Sequence, residues 1–260
     1  INSFLVTALV YPLTLFFNIF GLVLSRLIGI LSITITYVVP MNKRIDGYEM
    51  PISRRDFNIP TLVLGNFANI IIISSRIVSG LDGGNSITYF TYSVFILNAM
   101  LTAIIGNIST LLLRKVSISK NSRFILLSVL ISIIVGLFLV LFLQFFGFDF
   151  IKFIFMRGQF NMYDVKNTTV FIEKLSYAFV LIFISTTLFQ PFFSLPIEST
   201  RKVRRNICVI FLITIGLGFL FSFFSDLSVE NESVIMIYTS SFMSLFLSAF
   251  SYFYYIKNNK

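Results

Sequence analysis

The 260-residue chain has no histidine, no tryptophan and one cysteine, Cys208. Without histidine there is no imidazole to serve as acid, base or metal ligand near neutral pH. One cysteine excludes a disulfide within the chain. Charge is also scarce: 12% of residues are Asp, Glu, Lys or Arg, about half the share in ordinary soluble domains. Acids are the rarer sign, 11 against 20 bases, for a net charge of +9. There is no phosphate-binding loop of the GxxxxGK[ST] kind, so ATP hydrolysis by this chain is not expected. Nor is there a continuous basic face, which sets nucleic acid aside as a partner despite the net charge.

What is present is apolar. Hydrophobic residues make up 57% of the chain, with 33 Phe and 11 Tyr, and mean hydropathy is +0.92. The expected fold class is an all-α polytopic membrane protein, with Tyr and Phe serving at the interfaces where Trp is missing. Apolar runs close to the ~20 residues that span a bilayer place about eight transmembrane helices at 4–22, 24–40, 59–80, 86–113, 124–146, 170–195, 207–224 and 234–255. Arg26 splits the first two into a hairpin. Residues 147–169 mix Phe148, Phe150, Phe153 and Phe155 with Lys152 and Arg157, which suggests a short amphipathic helix in the interface, ended at Gly158. Most Lys and Arg fall in segments 42–57, 114–123, 197–206 and the tail. The positive-inside rule assigns that side, with both ends of the chain, to the cytoplasm.

Residues 58–92 organise the rest. They hold Arg76 in a segment long enough to cross a bilayer, where a guanidinium near the centre costs roughly 2.5–3.5 kcal/mol. At about 100° per residue, Gly65, Asn66, Asn69 and Arg76 share one side of the helix. Leu81–Ser86 (LDGGNS) breaks it, and in the next helix Thr88, Thr91, Asn98, Thr102 and Ser109 share a side. Two consecutive polar stripes suggest a hydrated interior. The candidate substrate-binding residues are Arg76, Asn69, Asn66, Asn98, Thr91 and Thr102. For the hydroxyls, the competing reading is helix-to-helix hydrogen bonding, worth ~0.6 kcal/mol each. No nucleophile–base set, metal-ligand cluster or cofactor loop occurs. The expectation is a transport protein rather than an enzyme, without cofactor or metal.

Three segments carry a family resemblance. Ile59-Pro60 with Gly65, Asn69, Arg76, Ser79-Gly80-Leu81 and the Gly84–Tyr92 turn and helix resembles the "P…G…N…R…SGL…G…Y" pattern of MurJ/MviN-type lipid II flippases. Phe150–Asp164 (FIKFIFMRGQFNMYD) resembles that family's "LLFERGAFT..D" element, and Phe192–Thr200 (FFSLPIEST) its "FYALGDT". The three occur in the family's order across about 140 residues. The resemblance implies helices five to twelve of a fourteen-helix, two-lobe transporter of the MOP exporter superfamily. Residues 1–58 would then close an N-terminal lobe, 59–260 would form six helices of a C-terminal lobe, and the chain would be an interior piece of a longer protein. It further implies alternating access that flips a polyprenyl-pyrophosphate-linked glycan, such as a lipid II-like peptidoglycan precursor, across the bacterial cytoplasmic membrane. Arg76 would meet the anionic headgroup, the partners would be lipid-linked oligosaccharide and membrane lipids, and the protein would act as a monomer. Ser75 stands where the family has an acid, Met156-Arg157 stands for its "ER", and the last two helices have no counterpart. An O-antigen or capsule-type polysaccharide lipid exporter is therefore the near alternative. A MATE-like drug exporter would call for acids within the membrane, and none is seen.

Overall fold

A computed structural model describes residues 58–81, 84–101, 123–156 and 160–258, and, of the chain before them, residues 9, 12, 13, 24, 25, 27–29, 31 and 32, all helical. The chain divides into two units, Ile1–Asp56 and Phe57–Lys260. The second contains seven described helices: α1 (Ile59–Gly65), α2 (Phe67–Val78), α3 (Ser86–Leu101), α4 (Arg123–Phe155), α5 (Met162–Phe193), α6 (Ile197–Phe224) and α7 (Val229–Asn258). No strand occurs among the described residues.

The helices α4, α5, α6 and α7 are each long and apolar enough to cross a membrane, and the bent pair α1–α2 is a fifth if taken as one span. With 33 residues, α4 is about 50 Å long, well beyond a hydrocarbon core of ~30 Å. Its richest window has a mean hydropathy of 3.2, yet only 28% of that window is buried. Leu126, Leu130, Ile134, Leu137, Phe138, Leu141 and Phe145 all point outward. In water this would be an apolar patch far larger than soluble monomers expose. Lipid is the solvent that matches it, so this is a multi-pass membrane protein.

Contacts fix the topology. Gln144 meets Tyr177 and Ser132 meets Thr187, so α4 and α5 run antiparallel. Tyr89 meets Asp164 and Ser93 meets Thr168, so α3 runs parallel to α5. Lys174 meets Glu230 and Ser185 meets Ser244, so α7 also runs parallel to α5. Thr61 meets Arg204 and Phe67 packs on Phe211, so α1 and α2 run with α6. The starts of α1, α4 and α6 and the ends of α5 and α7 therefore gather at one end, with Arg123, Arg201, Lys202, Arg204, Arg205 and Lys257. The other end holds Asp149, Asp164, Asp226, Glu230 and Glu232 together with Lys152, Lys166 and Lys174.

The hub is α5, which packs against α3, α4 and α7 and has the most buried apolar window of the long helices. Two devices bring its neighbours close. Gly136 of α4 faces Val180 so tightly that a Cβ there would stand 2.8 Å from Cγ1. On α7, Ser233, Ser240, Ser244, Ser248 and Ser251 are all buried and fall on one face at helical spacing. Small residues let backbones approach where no hydrophobic force acts between helices in lipid. Ser244 Oγ adds a hydrogen bond to Ser185 Oγ at 3.1 Å.

Several expected boundaries are corrected. Residues 147–155 are not a separate interfacial helix: they continue α4, because Gly147 and Ile151 are buried with the core. The following helix begins at Met162, not 170. Asn161 accepts from the Tyr163 and Asp164 amides while Asp164 accepts from the Asn161 amide, a capping box. The basic segment 197–206 is no loop but the first turns of α6, following directly on Pro196. The last helix starts at Val229. The expected helix 59–80 is two helices bent by 69°. Residues 102–122, and with them the end of the expected helix 86–113, lie outside the described residues, as do most of residues 1–57.

Candidate functional site

The described members of the two polar stripes are exposed or half-buried on the second unit. On α2, Asn69 and Arg76 lie within about 20° of one another, and both are exposed, beside Ile73 and Ile77. Val78, Ser75, Ser74, Ile71 and Phe67 face inward. On α3, Thr88 and Asn98 are exposed, Thr91 is half-buried, and Tyr89, Phe90, Ser93 and Leu97 are buried. The two helices pack together, and Ile87 comes against Gly80 across the turn that joins them. The structure thus brings Arg76, Asn69, Thr88 and Asn98 onto neighbouring helices with their side chains turned out of the core.

Arg76 stands in the last turn of α2, not at mid-helix, at the end opposite the Arg201–Arg205 cluster. There the partial negative charge of a helix C-terminus favours a cation, which lowers the cost of placing it in an apolar segment. Two other sequence candidates are occupied by their own helices. The Thr91 hydroxyl donates to Ile87 O at 2.6 Å. Asn66 Nδ2 donates to Leu62 O at 2.9 Å, the same carbonyl that accepts the Asn66 backbone amide at 3.2 Å, so both donors of Asn66 close the end of α1 at the bend. Thr102 lies outside the described residues.

Beside the start of α3, a cleft of about 480 Å³ is lined by Asn85, Thr88, Tyr89, Tyr92, Ile154, Phe155, Phe160 and Asp164. One wall is aromatic, with Tyr92 5.0 Å from Phe155 and 5.4 Å from Phe160, ring centre to ring centre. The Tyr89 hydroxyl donates to Asp164 Oδ1 at 3.0 Å, anchoring α3 to the cap of α5. Of this wall only Thr88 was a stripe residue. Phe155 reads in sequence as part of an interfacial amphipathic segment, and no spacing links it to Tyr92.

A further residue escaped sequence reasoning altogether. Arg204, one of four cations at the start of α6, is 1% exposed. Its guanidinium donates to Thr200 Oγ1 at 2.8 Å, Thr61 Oγ1 at 2.9 Å, Leu195 O at 2.9 Å and Phe192 O at 3.2 Å. It also lies over the Phe192 ring, 5.2 Å from its centre. It holds three helix ends together using neutral acceptors and ring faces. Among the described residues there is no cluster of His, Cys, Asp and Glu able to hold a metal. Comparison with protein-family models, with curated proteins and with solved structures finds no match for this chain.

Proposed function

We propose that the chain is part of a transporter that moves a polyprenyl-pyrophosphate-linked glycan across the bacterial cytoplasmic membrane by alternating access, with its basic end toward the cytoplasm. What supports this is the outward face shared by Asn69 and Arg76 on α2 and by Thr88 and Asn98 on α3. A pyrophosphate needs a cation in hydrocarbon surroundings, and a guanidinium offers it a two-pronged donor. A glycan needs amides and hydroxyls, and it stacks on aromatic faces such as those of Tyr92 and Phe155 beside Thr88. The prenyl tail needs only the apolar surface that α4 already presents. With the basic end inward by the positive-inside rule, Arg76 would meet the headgroup toward the outer leaflet.

The test is complementation. The complete reading frame is expressed in a bacterium depleted of its own lipid II flippase, and growth and outer-leaflet lipid II are scored. Rescue by the parent and failure by Arg76→Ala, at equal membrane levels, is the expected result. No rescue by a membrane-inserted parent would sink lipid II as the cargo and leave an O-antigen or capsule-type glycan lipid. Rescue by Arg76→Ala would remove the role given to Arg76.

A further inference from the structure

At the basic end, a cleft of about 510 Å³ lies between the start of α1 and the first turns of α6, lined by Asn58, Ile59, Pro60, Arg201, Lys202 and Arg205. Arg201, Lys202 and Arg205 follow one another at i, i+1 and i+4, within about 100° of the helix circumference, and all three are exposed. None of them forms an ion pair among the described residues. Glu198, in the first turn of the same helix, is exposed and is not part of the lining. Arg204 turns the other way, and its bond to Thr61 pins α1 to α6, which fixes the width of the cleft.

The second observation is Asn58. It is 7% exposed, belongs to the cleft wall, and its Nδ2 has no hydrogen-bond partner. An amide withdrawn from water with its donors unmade is costly, and native proteins rarely leave such a group without cause. Two unmet amide hydrogens beside three cations make a set rich in donors. The complementary ligand is a group with several anionic oxygens.

We propose that this cleft binds a phosphate group, taken from an anionic phospholipid of the adjoining leaflet or from a soluble phosphate or pyrophosphate. Arg201 and Arg205 supply charged forks, Lys202 a point charge, and Asn58 Nδ2 the buried hydrogen bond. Ile59, 64% exposed at the rim, gives the glycerol and upper acyl chain of a lipid an apolar neighbour, which favours the lipid as the source. This inference stands independently of the transport reading, since none of its residues lies on the Arg76 face.

The experiment is native mass spectrometry of the complete protein in detergent, with phosphatidylglycerol, with diacylglycerol of the same acyl chains, and with inorganic phosphate or pyrophosphate alone. The expected result is a retained phosphatidylglycerol adduct, no diacylglycerol adduct, and an affinity reduced roughly tenfold or more by R201Q/K202Q/R205Q. Asn58→Asp, which keeps the shape and places a carboxylate against the phosphate, is expected to weaken the adduct comparably. Displacement of the lipid by inorganic phosphate or pyrophosphate would support the site and make the soluble anion its ligand. Equal retention of diacylglycerol, or binding unchanged in both the triple variant and Asn58→Asp, would overturn the proposal.

Discussion

Arg204 on α6 donates to Thr61 on α1 at 2.9 Å, joining residues 143 positions apart in the chain. The same guanidinium reaches Leu195 O and Phe192 O beyond the end of α5. These carbonyls belong to the last turn of a helix and to the link after it, where backbone acceptors have no partner within the helix. One side chain thus closes the end of α5 and fixes the start of α1 on α6. Its charge stays solvated by dipoles and by the Phe192 ring rather than by a carboxylate.

Replacing Arg204 with Leu strips four acceptors at once, two of them, Thr200 Oγ1 and Phe192 O, in buried bonds. Each one left without a donor costs about 1–3 kcal/mol, so the expected loss of stability is at least ~3 kcal/mol. Arg204→Lys should recover only part of it, because an ammonium cannot span acceptors that lie in different directions. Cys208, buried one turn further along α6, supplies the readout: a thiol-reactive dye reports its exposure on heating in detergent. The midpoints should fall in the order parent, Lys, Leu. A lysine variant as stable as the parent would contradict the staple.

Gly136 and Val180 set the spacing of α4 and α5. A Cβ on residue 136 would stand 2.8 Å from Val180 Cγ1 and 3.0 Å from Cγ2, and a β-branched neighbour in a helix has little freedom to turn aside. Gly136→Ala is therefore expected to destabilise by about 1–3 kcal/mol as overpacking, although Ala is the better helix former. Val180→Ala should rescue it, so that the double variant is more stable than the two single losses added together. Simple additivity in the thiol-exposure assay would mean that the helices part freely.

The class of this protein was legible from composition alone, because scarce charge and long apolar runs leave lipid as the only consistent solvent. The helix ends were less so. Segment 197–206 reads as a loop by its charge, yet Arg201, Lys202 and Arg205 can extend into water from a helix that Pro196 starts. The signal for the start of α5 was present in the Asn161/Asp164 pair but was outweighed by the polar character of residues 161–169. Arg204 could not be told from Arg205, since the two differ only in which side of α6 they face, and that depends on where α1 lies. The polar stripes of α2 and α3 could be read from periodicity. That Thr91 is engaged by its own helix could not be read, because its hydroxyl looks as available in a sequence as that of the exposed Thr88.

The buried serines of α7 give a sharper test of packing against hydrogen bonding. If Ser244 matters through its bond to Ser185, Ser244→Ala should be costly; if it matters through size, it should not. Membrane hydrogen bonds average ~0.6 kcal/mol, whereas a large side chain forced into a close contact costs about 1–3 kcal/mol. We expect Ser244→Ala to shift the unfolding midpoint little and Ser244→Leu to shift it strongly, with Phe242→Leu on the exposed face of the same helix as the neutral control. An alanine variant as damaged as the leucine variant would assign the role to the hydroxyl.

Thr91 separates the two readings of the polar stripe. Its hydroxyl already donates to Ile87 O at 2.6 Å and the side chain is half-buried, so Thr91→Val keeps the shape and removes only a bond internal to α3. Asn69 is exposed beside Arg76, and Asn69→Leu would replace an outward amide with an apolar group. If this face carries a glycan headgroup, Asn69→Leu should lower lipid-linked glycan export roughly tenfold, the scale of one lost hydrogen bond to a charged or strongly polar partner. Thr91→Val should stay within about twofold of the parent, since its hydroxyl offers the headgroup no donor. Export measured at matched membrane levels decides between them. Equal losses at both positions would show that the stripe works through helix packing, and full activity of Asn69→Leu would take the headgroup off α2.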